Sequence, residues 1–310
     1  MSRWFSRLGA TALALAGAVL APAAATPAGA GALVDRTGTI AYARFPLGAD
    51  AQLFTVDANG RNRARLIRHN GSDSEPSWSP DGRRIAFTSV NAAANQGIFV
   101  ASADGRDIKQ LTSHLTRPKA TFLDAHPRWS PDGSRIVFHR YRNNRTTLFA
   151  MNADGSGLRQ LGSGFEPAWS PDGRTIAFSD RIGALGNYDI YTIGAAGGDR
   201  RRVTRSPVND NDPDWSPDGR TLAFESRRND NTDIYTIRLD GTGERRLTTA
   251  GGYDVAPVWS PNGRWIAFAS RRTRSQFDIW VMNRDGSGQT RLTTDVRADE
   301  AQPAWRPAAR

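Results

Sequence analysis

One phrase recurs six times in this chain and restricts it to a repetitive body: EPSWSPDG (75–82), HPRWSPDG (126–133), EPAWSPDG (166–173), DPDWSPDG (212–219), APVWSPNG (256–263) and QPAWRP (302–307). Its tryptophans, Trp78, Trp129, Trp169, Trp215, Trp259 and Trp305, are spaced by 51, 40, 46, 44 and 46 residues, which suits a four-stranded propeller blade with loops of unequal length. After each of the first five phrases comes a short apolar strand (IAF at 85–87, IVF at 136–138, IAF at 176–178, LAF at 222–224, IAF at 266–268). The Asp-Gly or Asn-Gly pair between them favours a tight turn, because Gly and Asn tolerate positive φ. A third strand begins at Ile98, Leu148, Ile190, Ile234 and Ile279, and a fourth ends in KQLT, RQL, RRVT, RRLT and TRLT.

The two ends of the pattern are complementary. Residues 39–67 supply a second, third and fourth strand with no Trp strand before them, and the C-terminus supplies only a Trp strand. Pairing the strand around Trp305 with that around Ile40 closes a ring and protects both edges. The expected fold is therefore all-β: a six-bladed β-propeller of four-stranded antiparallel blades, closed by the C-terminal Trp strand on the N-terminal blade. The middle residue of the second strand is small in every copy (Ala41, Ala86, Val137, Ala177, Ala223, Ala267), as expected where sheets crowd together, and the Trp rings fill the gaps between blades.

Residues 1–30 read as a signal peptide and cleavage region, 31–38 as a short linker and 39–310 as the propeller. Arg3 and Arg7 precede an apolar run from Leu8 to Leu20, and small residues follow it. That run has 13 residues, short for a membrane span. Cleavage would lower the net charge from +10 to +8. The expected location is secreted, periplasmic or elsewhere in the cell envelope, with no integral membrane segment after cleavage, and that compartment excludes nucleic acid as a partner. With no Cys in the chain there are no disulfides, thiolate metal sites, Cys nucleophile or Cys-linked lipid.

The phrase PxWSPDGxxIAF, with the strands that follow it, resembles the repeat of TolB-like propellers over residues 39–307. That resemblance implies a periplasmic or secreted protein whose funnel mouth docks a partner. The α/β domain that precedes the propeller in TolB has no counterpart between residues 31 and 38. The hydrolase domain and G-x-S-x-G elbow of the propeller peptidases have none either.

Candidate site residues lie where the blade-to-blade connections enter the innermost strands. Directly before the motif proline stand Glu75, His126, Glu166, Asp212, Ala256 and Gln302, and three residues before it Asp73, Asp124, Gly164, Asp210, Asp254 and Glu300. Both rows are expected to ring the channel mouth. Converging carboxylates there would accept a cation, an amine or a basic peptide, while the competing reading of the second row is that each acid ties neighbouring blades together. Farther out, the loops after the second strands carry Arg140, Arg142, Arg145, Arg181, Arg227, Arg228, Arg271, Arg272 and Arg274.

The function expected is a monomeric, non-catalytic scaffold for an envelope or extracellular protein, peptide or glycan, with no cofactor. The alternative is a metal-assisted lyase or hydrolase acting on a saccharide at the same face. Related seven-bladed sugar lyases hold a metal with funnel histidines, and the four histidines here, His69, His114, His126 and His139, would then be ligands of a divalent metal.

Overall fold

A computed structural model describes residues 38–91, 96–113, 122–181, 186–228, 230–273 and 275–307. The proposed signal, His114 and Arg274 lie outside the described residues. Six antiparallel four-stranded sheets form the body. From the axis outward, blade 1 comprises Ala298–Trp305, Thr39–Pro46, Gln52–Asp57 and Ala64–Arg65. The innermost strands of blades 2 to 6 are Gly71–Trp78, Leu123–Trp129, Phe165–Trp169, Asp210–Trp215 and Asp254–Trp259. The ring closes as the termini imply, with Ile40 opposite Trp305, Ala41 opposite Ala304 and Pro46 opposite Ala298.

The small residue of the second strand has a specific partner. Trp129 packs in one cluster with Ala86, Trp169 with Val137, Trp215 with Ala177, Trp259 with Ala223, Trp305 with Ala267 and Trp78 with Ala41. Each indole thus fills the hollow that a small side chain leaves on the preceding blade, a shape match of the kind that gives interiors their close packing. Trp169, Trp215 and Trp305 also donate their indole N–H to carbonyls of that preceding blade, those of Arg128, Ala168 and Val258. On their outer side, guanidinium groups cover several of the indoles, with Arg84 4.5 Å from the Trp129 ring and Arg306 4.8 Å from Trp78.

Each innermost strand breaks its register once, at the residue before the motif proline. The interruptions fall between Ser74 and Ser77, Ala125 and Arg128, Phe165 and Ala168, Asn211 and Asp214, and Val255 and Val258, and blade 1 has its own opposite Ala41 and Ala43. At these bulges Glu75, His126, Glu166, Asp212, Ala256 and Gln302 all have left-handed backbones, with φ between 51° and 56°. Proline fits beside them because it has no N–H to lose from the ladder. A left-handed backbone costs a non-glycine residue roughly 1–2 kcal/mol, so six bulges are tolerated only where something holds them.

Ala256 isolates that cost, since its methyl group makes no hydrogen bond. Ala256→Gly should raise stability by about 0.5–1 kcal/mol in chemical denaturation, the relief of strain exceeding the entropy added to the unfolded chain. A loss of stability of that size would contradict the strain assigned to the bulge.

Candidate functional site

The six bulges bring the residues before the prolines together around the axis, and side chains there take up the backbone N–H groups of the neighbouring blade. Gln302 Oε1 accepts the Glu75 amide at 3.0 Å. Glu75 Oε2 accepts the His126 amide at 2.7 Å and the Thr88 hydroxyl at 2.6 Å. His139 Nδ1 accepts the Glu166 amide at 3.3 Å. Glu166 Oε2 accepts the Asp212 amide at 3.0 Å and the Ser179 hydroxyl at 3.1 Å, and Glu225 Oε2 accepts the Ala256 amide at 3.1 Å. In all five links the acceptor belongs to the preceding blade. These bonds are what hold the strained bulges.

Thr88, His139, Ser179 and Glu225 come from the second strands and were not grouped by the sequence reading. They occupy one repeat position, thirteen residues after Glu75, His126, Glu166 and Asp212. That fixed offset is the signal that identifies them.

The ring is not sixfold in chemistry. Blades 2 to 5 present Glu75, His126 with His139, Glu166, and Asp212 with Glu225, whereas blade 6 presents Ala256 and Ala269 and blade 1 presents Gln302 and Ala43. A cleft enclosing about 340 Å³, including its opening to solvent, lies at the axis and is lined from five of the six blades. Ala256, Pro257, Val258, Gln302 and Pro303 line it together with Glu75, His126, Arg128, Asp212 and Asp214.

Burial and neighbours set the charges. His126 Nδ1 lies 3.0 Å from Glu75 Oε1, with the two side chains 12% and 14% exposed. Burial opposes protonation of His126, but Glu75, with Asp212 and Glu166 beyond it, raises its pKa to about 9. Burial likewise opposes ionisation of Glu75, and His126 outweighs it and holds the carboxyl well below the usual range. Burial and then the charge of His126 push His139 down to about 3, so its neutral ring can accept the Glu166 amide. Its ring stacks on His126 with centroids 5.4 Å apart. Burial, then Asp212, lifts Glu166 to about 7, and burial lifts Asp214 to about 7. Glu225 is pushed well above the ordinary carboxylate range by burial and by Asp212 and Glu166. The mouth is therefore much less anionic at neutral pH than its composition suggests.

The second acidic row sits elsewhere. Asp73, Asp124, Asp210, Asp254 and Glu300 are fully buried and lie outside the residues lining the cleft. Asp124 receives the Arg140 guanidinium at 2.6 and 2.8 Å, Asp254 receives that of Arg272 at 2.5 Å, and Glu300 that of Arg63 at 2.5 Å. Asp210 accepts the Ser226 hydroxyl at 2.6 Å, and Asp73 lies 2.8 Å from His69 Nε2. Rather than lining the cleft, these acids are tied to side chains of their own blade or of the connection leading into it. The physical reason is the bulge. Residues two apart on a regular strand share a face, but the left-handed residue between the acid and the proline sends the two side chains in different directions.

Among the described histidines, His69 is thus separated from the His126–His139 pair. Among the described residues no group of three or more His, Asp or Glu is placed to hold a metal ion.

The chain belongs to the TolB beta propeller domain family, whose model matches residues 39–166 and 160–310. It is similar to the Tol-Pal system protein TolB of Anaeromyxobacter dehalogenans strain 2CP-1, 39% identical over 112 residues, which cover 36% of this chain and 24% of that protein. The corresponding protein of Alcanivorax borkumensis is 30% identical over 86 residues, covering 28% of this chain and 18% of its own length. The matches therefore span about a quarter or less of those relatives. Among solved structures, TolB from Acinetobacter baumannii superposes with a TM-score of 0.75 at 23% identity, covering 88% of this chain and 67% of that one. The putative TolB of Agrobacterium tumefaciens gives 0.66 at 20% identity, covering 88% of this chain and all of its own. At these identities the two structures establish the fold.

The pKa directions fix how stability depends on pH. Folded His126 keeps its proton up to about 9, whereas the unfolded side chain releases it near 6.5. Its contribution is complete below 6.5 and is lost as pH rises to 9. Glu166 and Asp214 add to the fall up to about 7. Unfolding free energy should therefore decline between pH 6.5 and 9, and Glu75→Gln should flatten that decline. A stability that is level or rising across this window in the unsubstituted protein would refute the assignment.

Proposed function

We propose that this TolB-like propeller is an exported, non-catalytic binding scaffold that acts in the periplasm or elsewhere in the cell envelope and holds an envelope protein, peptide or glycan at its axial mouth. The observation carrying this reading is where the repeat breaks. Tryptophans, turns and second-strand apolar positions are nearly invariant between blades, while the axis-facing positions differ from blade to blade and line an axial cleft. Function commonly sits where a rigid scaffold presents variable residues. The similarity to Tol-Pal system proteins supports an envelope setting. The apolar run behind Arg3 and Arg7 supports export. Among the described residues no helix is long and apolar enough to cross a membrane.

The test is capture from a solubilised envelope extract. Protein carrying Glu75→Ala, Glu166→Ala and Asp212→Ala together should lose the partner retained by the unsubstituted chain. Because the variant also loses the acceptors of the His126 and Asp212 amides, its melting temperature should fall, and capture is compared at a temperature where its near-ultraviolet circular dichroism matches that of the unsubstituted chain. Equal capture by both proteins would remove the mouth as the binding site.

A further inference from the structure

Two residues beyond the second-strand position at the axis, and on the same face of the strand, each blade carries a residue at the rim of the mouth. From blade 1 onward these are Phe45, Val90, Tyr141, Arg181, Arg227 and Arg271. The rim is therefore divided: blades 4 to 6 carry arginine in succession, and blades 1 to 3 carry none at this position. The charges beside the three arginines are already committed. Asp180 receives Arg200 at 2.7 Å, Arg228 pairs with Glu244 at 2.6 Å, and Arg272 pairs with Asp254. Among the described residues no carboxylate pairs with Arg181, Arg227 or Arg271. Arg181 lies 5.8 Å from the centre of the Tyr188 ring, and Arg271 lies 4.7 Å from that of Tyr253 and 5.4 Å from that of Phe277. A guanidinium that rests on an aromatic ring keeps its N–H edge for a planar anion such as a carboxylate.

The other side of the rim is apolar. Phe45 is followed by Pro46 and Leu47, and Leu47 is 75% exposed. Pro46 stands opposite Ala298, two residues after Val296, which is 59% exposed, so both apolar side chains lie at the mouth end of blade 1. Among the described residues these are the two most exposed large hydrophobic side chains. We infer that the rim receives a segment of a partner protein that is acidic over blades 4 to 6 and apolar over blade 1. This rests on the reading of the mouth as the docking site and narrows its occupant to a protein. A glycan bearing carboxylates would answer the arginines, but Leu47 and Val296 offer a sugar no aromatic face to stack on. The carboxyls beneath the arginines do not forbid an acidic partner, because burial pushes Glu166, Asp214 and Glu225 toward their neutral forms. The net positive charge of the chain favours encounter with an acidic surface.

The experiment measures, by fluorescence anisotropy, binding of the purified protein to a labelled peptide made of a block of glutamates followed by a block of leucines. Binding should saturate and should weaken as sodium chloride is raised. Arg181→Gln, Arg227→Gln and Arg271→Gln together should weaken it about tenfold, the loss of three partly screened charge contacts. Arg83→Gln, Arg174→Gln and Arg220→Gln remove the same charge from exposed positions in the turns at the opposite end of the propeller, and should leave it unchanged. Leu47→Ser with Val296→Ser should weaken binding of this peptide and not that of a peptide of glutamates alone. All variants are compared where their near-ultraviolet circular dichroism matches that of the unsubstituted chain.

Equal weakening by the two arginine variants, no saturable binding of the peptide, or tighter binding of oligogalacturonate than of the peptide would each overturn the inference, the last by making the rim a glycan site. If the Arg181, Arg227 and Arg271 variant keeps an envelope partner that the Glu75, Glu166 and Asp212 variant loses, the inference falls and the mouth remains the binding site. If the peptide behaves as expected but the Glu75, Glu166 and Asp212 variant captures the partner unchanged, the reading of the axis falls while the rim site stands.

Discussion

The left-handed residue before each motif proline is the constraint from which the axial architecture follows. It recurs in all six blades, turns a side chain toward the axis and, in five of them, brings its backbone N–H to a side-chain acceptor of the preceding blade. Neither result is available to a regular strand, whose side chains would point only at the two flanking sheets. Because the conformation is unfavourable by itself, a bulge needs a partner, and for five of the six the structure supplies one from the preceding blade. The hydrogen bonds that relieve local strain therefore also bind one blade to the next.

This interlocking operates alongside the packing of Trp against a small residue, and the two divide the work by radius. Between the sheets, apolar contact holds the blades: an indole from one fills the hollow above Ala or Val of another. At the axis, where six innermost strands converge and polar backbone faces a narrow space, hydrogen bonding takes over. The buried acids Asp124, Asp254 and Glu300, each paired with an arginine of its own blade, belong to neither system. Breaking one of those pairs would leave a buried charge without compensation, which is far costlier than losing an exposed ion pair.

Much of this was legible in the sequence. The period of the Trp phrase fixed the blade count, and the missing first strand at one end with the spare strand at the other fixed the closure between Ile40 and Trp305. The residues before the prolines share one repeat position, and five of them line the axial cleft. Two things were not legible. Asp73 and Glu75 stand two apart, and a regular strand puts both on one face; only the backbone angle at Glu75 separates them, and no residue type announces it, since Glu, His, Asp, Gln and Ala all occupy that position. Charge was also misread from composition. Counting carboxylates makes an anionic mouth, but burial and neighbouring acids push Glu166 and Glu225 up, and His126 beside Glu75 carries a compensating charge.

The account depends most directly on the Glu75–His126 pair, which joins blades 2 and 3 at the axis through both a side-chain contact and a backbone amide. Titration of the His126 imidazole by carbon-detected NMR tests it without reference to any ligand. The predicted result is a pKa of about 9, with a separate, strongly depressed value for His139. A His126 pKa at the ordinary value near 6.5 would mean that the carboxylate does not face the ring, and that the hydrogen-bonded circuit around the axis is not formed as described.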